Sequence, residues 1–102
     1  MSNPALSFLR LVALEVRTAG KLGERFHASE IVDLCEEAGI EIPGLKSANC
    51  DDASRRVGVL LKRAFGELDV VEVDGLTVAR AIVVPPRLGG GSRPTKVYRF
   101  CQ

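Results

Sequence analysis

The hydrophobic period of this chain changes once, at Gly66, and that change limits the folds open to it. Before Gly66 apolar residues recur three and four apart, as on a helix. After it they alternate every second residue around an Asp-Gly dipeptide, as on a strand. A chain of 102 residues builds one hydrophobic core, so helices and strands must share it. The expectation is an α+β fold with a single domain over residues 1–102.

Three helices are predicted ahead of the change. "PALSFLRLVALEVRTAG" opens on Asn3–Pro4, a cap followed by a first-turn proline, and stops at Gly20. Leu6, Leu9, Val12, Ala13 and Val16 follow helical spacing, which predicts a helix over residues 4–18. In "RFHASEIVDLCEEAG", His27 as N-cap puts Glu30 where a capping-box carboxylate sits and sets Phe26 opposite Ile31 as a hydrophobic staple. Ile31, Leu34, Cys35 and Ala38 then form an apolar stripe closed by Gly39, predicting a helix over 28–38. His27 has no nucleophile or orienting partner near it, so it is read as a helix start and not as a catalytic group. Past Pro43 and Gly44 a third helix is predicted over 51–65. Val57, Leu60, Leu61, Ala64 and Phe65 share one arc, and Arg55, Arg56, Lys62 and Arg63 share the opposite one around Val59. Asp51 and Asp52 fall in its first turn, where the helix dipole favours acids.

After Gly66, "DVVEVDGLTVA" reads as a hairpin. A two-residue Asp-Gly loop sets Val73 opposite Leu76 and Val71 opposite Val78, with Glu72 and Thr77 facing the other way. Strands are predicted over 69–73 and 76–84, with Arg80 interrupting the alternation as at a bulge or an edge. "PPRLGGGSRP" cannot continue a strand, whereas "TKVYRF" can, predicting a last strand over 95–100. Val97, Tyr98 and Phe100 gain free energy only when packed, so the ending is read as an anchored strand and not a tail. Residues 85–94 then form a basic Gly/Pro-rich loop, and 86–94 are expected to be disordered in isolation. Three helices followed by an antiparallel sheet with such a loop is the layout of a winged helix-turn-helix domain.

The net charge of +1 conceals an asymmetry. Residues 23–41 carry Glu24, Glu30, Asp33, Glu36, Glu37 and Glu41 against Arg25 alone. Residues 80–102 carry Arg80, Arg87, Arg93, Lys96 and Arg99 with no acid. Such a segregated surface orients a polyanion. Other classes are set aside on chemistry. No apolar run reaches membrane-spanning length, and residues 1–20 lack a signal-peptide pattern. Cys35, Cys50 and Cys101 are too widely spaced for a disulfide framework or a metal knuckle, which suggests a reduced, cytoplasmic protein without metal. "RLGGGSRP" leads into a proline and a strand, not into the helix a phosphate-cradling loop requires, so no nucleotide or other cofactor is expected. A single histidine without a paired acid or nucleophile gives no basis for an enzyme.

"FHASEIVDLCEEAGI", "RRVGVLLKRAFG" and the closing "KVYRF" together resemble the small winged-helix domains at the C-terminal ends of phage- and plasmid-type primase–helicases, over residues 5–100. The resemblance implies that a basic third helix and a basic wing touch nucleic acid. The matching positions are Arg55, Arg56, Lys62, Arg63, Arg87, Arg93 and Lys96. It implies DNA as the partner, duplex ahead of single strand, and the remainder of a larger replication protein beside it. Two features depart from the pattern: the connection between helices two and three is long, and Asp51 and Asp52 stand at a helix start where phosphate would sit.

Side-chain chemistry divides the roles further. Arg55 and Arg56 suit base edges, while Lys62 and Arg63 suit the backbone. Glycines 89–91 let the loop tip approach a sugar-phosphate chain. Tyr98 and Phe100 are able to stack on bases but, among valines, are read as core. Two alternatives stand beside DNA binding. One is docking of a basic protein through the acidic second helix. The other is a small transcriptional regulator, for which no helix is spare to dimerise.

Overall fold

The computed structural model describes residues 3–45, 50–83 and 95–102. Along the chain these form α1 (Pro4–Thr18), β1 (Arg25–Phe26), α2 (Ala28–Ala38), α3 (Cys50–Phe65), β2 (Val70–Val73), β3 (Leu76–Val83) and β4 (Thr95–Cys101). The class is α+β: among the described residues, three helices and one four-stranded antiparallel sheet in the order β1-β4-β3-β2.

Local chemistry sets the helix ends. The Asn3 Oδ1 accepts from the Ala5 amide at 3.0 Å and starts α1. The Glu30 carboxylate accepts from the His27 amide at 3.0 Å and starts α2. Gly39 ends α2 at φ 70, and the Ile40 amide donates back to the Cys35 carbonyl at 2.9 Å. The hairpin turn places Asp74 at φ 49 and Gly75 at φ 82. Both are left-handed, the geometry that matches the twist of the flanking strands. Its register is Val73 with Leu76 and Val71 with Val78.

β4 lies inside the sheet, between β3 and β1. It pairs with β3 from Thr77–Cys101 to Val83–Thr95, and its other edge takes β1 through Arg25–Arg99 and Phe26–Tyr98. The Gly23 amide extends that edge by donating to the Phe100 carbonyl at 2.7 Å. Nothing in the sequence signals β1, because two residues are too few to show a period.

The core lies between the helices and one face of the sheet. Phe8, Leu9, Val12 and Val16 of α1 meet Ile31, Leu34 and Cys35 of α2 and Val57, Leu60, Leu61 and Phe65 of α3. Leu76, Val78, Tyr98 and Phe100 close it from the sheet. Phe26 meets Phe100 edge-on at 6.0 Å between centroids, and Phe65 meets Tyr98 at 6.0 Å. Such pairs contribute about 0.5–1.5 kcal/mol each beyond their buried area.

Three expectations are corrected. Leu6 is exposed at the margin of the α1 arc, and Phe8 takes an inward position. Ala38 is exposed in the last turn of α2, and Val32 is buried, because α2 packs against β1 and β4 as well as α3 and so buries a broader arc than one stripe. Arg80 marks neither a bulge nor an edge. It pairs in register with Tyr98, and its amide donates to the Asp69 carbonyl at 2.8 Å on the other side. A charged residue is accommodated there because its guanidinium lies 5.0 Å over the Phe65 ring and donates to the Leu68 carbonyl at 2.8 Å and to Asp69 at 3.2 Å.

Candidate nucleic-acid interface

Burial of Val57, Leu60, Leu61 and Phe65 fixes the rotation of α3 about its axis. The opposite stripe, spaced four and three apart, is Arg55, Val59 and Lys62, and it faces solvent. On β4, Lys96, Tyr98 and Phe100 share the face that meets the helices. Tyr98 and Phe100 are buried, while Lys96 is exposed beyond the margin of the core. The two elements therefore bring Lys96 beside α3. Arg55, Val59, Lys62 and Lys96, with Ala28 at the start of α2, line an open cleft of about 590 Å³ whose floor includes Gly58 and Tyr98.

Lys62 and Lys96 also border a second depression of about 410 Å³ that reaches Gly66, Arg80 and Ile82, so the lysine pair forms the divide between the two. Among the described residues none of Arg55, Lys62 and Lys96 is ion-paired, which leaves their charge available to a ligand. Arg80 differs. Its side chain is only 12% exposed and its charge is committed to Asp69, the Leu68 carbonyl and the Phe65 ring.

The other residues singled out from the sequence are placed differently. The Arg56 Nε donates to the Pro43 carbonyl at 2.6 Å, and the side chain is half-buried against the α2–α3 connection. Gly44 lies under this guanidinium at φ +77, where an added Cβ would come within 2.5 Å of an Arg56 nitrogen. Arg56 thus fastens the connection to α3. Arg63 is exposed but follows Lys62 by about 100° around the helix and does not line the cleft. Arg87, Arg93 and the whole loop expected over 85–94 lie outside the described residues. Ala28 and Gly58 carry no functional group, and only the packing of α3 against α2 reveals them as part of the cleft.

Asp52 is exposed one turn before Arg55, and Asp69 borders the depression beyond the lysine pair, but the acids of α2 and the turn before it collect elsewhere. Glu24, Glu30, Asp33 and Glu37, with Lys21 among them, border a depression of about 240 Å³ that shares no residue with the cationic cleft. Burial raises the Tyr98 phenol above its ordinary value, with Arg80 pulling the other way, so the side chain is a neutral part of the cleft floor. Burial, with Glu36 adding to it, pushes the Cys35 thiol up to about 11 and keeps it an uncharged part of the core. Chemically, the cleft offers three cations around an apolar floor: donors for phosphate oxygens and a surface for a sugar or a base edge.

Compared with known proteins, the chain matches no family model, no curated protein and no solved structure. Among the described residues, no helix is long and apolar enough to cross a membrane.

Proposed function

We propose that this chain is a nucleic-acid-binding module of the winged-helix type, with DNA held in the cleft between α3 and β4. The observation that carries the reading is the meeting of Arg55 and Lys62 from α3 with Lys96 from β4 around one open cleft. These cations come from different elements, lack acidic partners among the described residues, and stand apart from the acids of α2. Lys62 and Lys96 neutralise phosphates, and Arg55, exposed beside them, is reassigned from the base edge to a phosphate as well; Val59 and Gly58 let the nucleic acid approach closely, and Arg63 adds a peripheral contact. Arg56 acts by positioning: it ties the α2–α3 connection to α3 through the Pro43 carbonyl. On this reading residues 85–94 are the wing, and Arg87 and Arg93 extend the cationic surface. The resemblance to primase–helicase C-terminal domains supports a place as an accessory DNA-binding domain of a replication protein.

The test is fluorescence anisotropy of labelled duplex and single-stranded DNA at several salt concentrations. Three phosphates neutralised give a slope of log K against log salt of about −3, and six give about −5. Absence of binding at low salt overturns the reading. Binding of a basic peptide at Glu30, Asp33 and Glu37 would then favour the acidic depression as the working surface.

A further inference from the structure

α1 buries one side in the core and shows solvent two leucines set between hydroxyl residues on its outer side. Ser7, Leu11, Leu14 and Thr18 recur four and three apart along its outer line, with Leu11 50% and Leu14 60% exposed. The hairpin turn between β2 and β3 rises beside this line, and Arg10 clamps it there through two hydrogen bonds to Asp74, each 3.1 Å. α1 and the turn enclose a trough of about 420 Å³ that reaches down to buried Ala13 and Leu76. Single exposed leucines on a surface need no explanation. Two of them one turn apart, bordering a trough with apolar side chains at its base, form seats for the apolar stripe of another helix.

We infer that this trough docks an amphipathic helix of another protein whose apolar stripe is flanked by carboxylates. The charge of the rim selects that partner. Arg10 and Arg17 lie along the same flank of α1, Arg17 has no acidic partner among the described residues, and the Arg10–Asp74 pair is exposed on both sides. A second copy of this chain fits poorly. In a symmetric antiparallel pair of helices each flank meets its own counterpart, so the arginine flanks of two copies would face one another. An anionic lipid surface fits poorly too, because the trough is concave and Asp74 stands on its wall. This surface shares no residue with the α3–β4 cleft, so the inference is independent of the nucleic-acid reading.

The experiment uses a helix-stapled fluorescent peptide with leucines one turn apart and glutamates on both flanks. The same peptide with lysines for glutamates, and phosphatidylserine vesicles, serve as rival probes. Anisotropy and amide chemical-shift mapping are recorded on the full chain. The acidic peptide is expected to bind, more weakly at high salt, with shifts at Ser7, Leu11, Leu14, Asp74 and Leu76. Arg17→Glu and Leu14→Ser are each expected to weaken it on the order of tenfold, with the circular-dichroism spectrum and Tm of both variants near the parent values. No binding, equal binding of the lysine peptide, preference for vesicles, shifts elsewhere, or concentration-dependent dimerisation lost in Leu14→Ser would each overturn the inference.

Discussion

Arg55 and Arg56 are neighbours with the same side chain, and the structure assigns them different work. Arg55 is exposed at the rim of the cleft, whereas the Arg56 Nε donates to the Pro43 carbonyl at 2.6 Å. A hydrogen bond to a charged group contributes about 1.5–3 kcal/mol where water is excluded. Here both partners are half-buried, and water replaces part of what is lost, so Arg56→Ala is expected to cost about 1–2 kcal/mol. At about 4–8 °C per kcal/mol for a domain of this size, Tm falls by roughly 4–16 °C. Arg55→Ala removes an exposed side chain and is expected to change stability by less than about 0.5 kcal/mol. Its effect appears in binding, where the loss of one phosphate contact makes the slope of log K against log salt shallower by about 1. Urea unfolding and salt-titrated anisotropy on both variants separate the two roles. If Arg56→Ala changes the slope at unaltered stability, or Arg55→Ala leaves the slope unchanged, the division of labour is refuted.

Gly75→Ala forces a Cβ into a left-handed conformation at φ +82 and is expected to cost about 1–2 kcal/mol by thermal unfolding, although no atom within 4 Å opposes the added carbon. The Cys35 thiol ionises near 9 in the unfolded chain and about 11 in the folded one. Below pH 9 it therefore contributes no pH dependence, and between pH 9 and 11 it lowers stability as pH rises, by up to about 3 kcal/mol. Urea midpoints across this range should fall more steeply for the parent than for Cys35→Ala, and parallel curves would contradict the assignment. Phe100→Ala removes a fully buried ring that meets Phe26 edge-on and is expected to cost about 3–5 kcal/mol by urea unfolding, while Ile82→Ala, at an exposed position, costs under about 0.5.

What was legible in the sequence follows from how local each signal is. The hairpin register was readable because an Asp-Gly loop admits one strand-compatible geometry, and Asp74 and Gly75 adopt it. The helix starts at Asn3 and His27 were readable because a cap and its partner lie within three residues. β1 was not, since its partner Arg99 is far along the chain and Arg25–Phe26 shows no period of its own. Arg80 read as a fault in the strand because its compensation comes from Phe65 and Leu68, outside the alternating pattern. The cationic stripe of α3 was visible at helical spacing, but the meeting of Lys62 and Lys96 depends on the place of β4 within the sheet. Helical spacing sets Arg56 about 100° from Arg55 and nearer the Leu60 edge of the buried arc, but it does not show which group Arg56 bonds. The difference arises from a carbonyl turned toward α3 beside Gly44 at φ +77.

DNA binding in the α3–β4 cleft is tested by amide chemical-shift mapping of the isotope-labelled chain titrated with a short DNA duplex at low salt, repeated on a Lys62→Ala/Lys96→Ala variant. Shifts are expected to concentrate at Ala28, Arg55, Gly58, Val59, Lys62 and Lys96 and to be lost in the variant, whose fold is retained because both lysines are exposed. Shifts confined to α1, or to the acidic side at Glu30, Asp33 and Glu37, or binding undiminished in the variant, would contradict it.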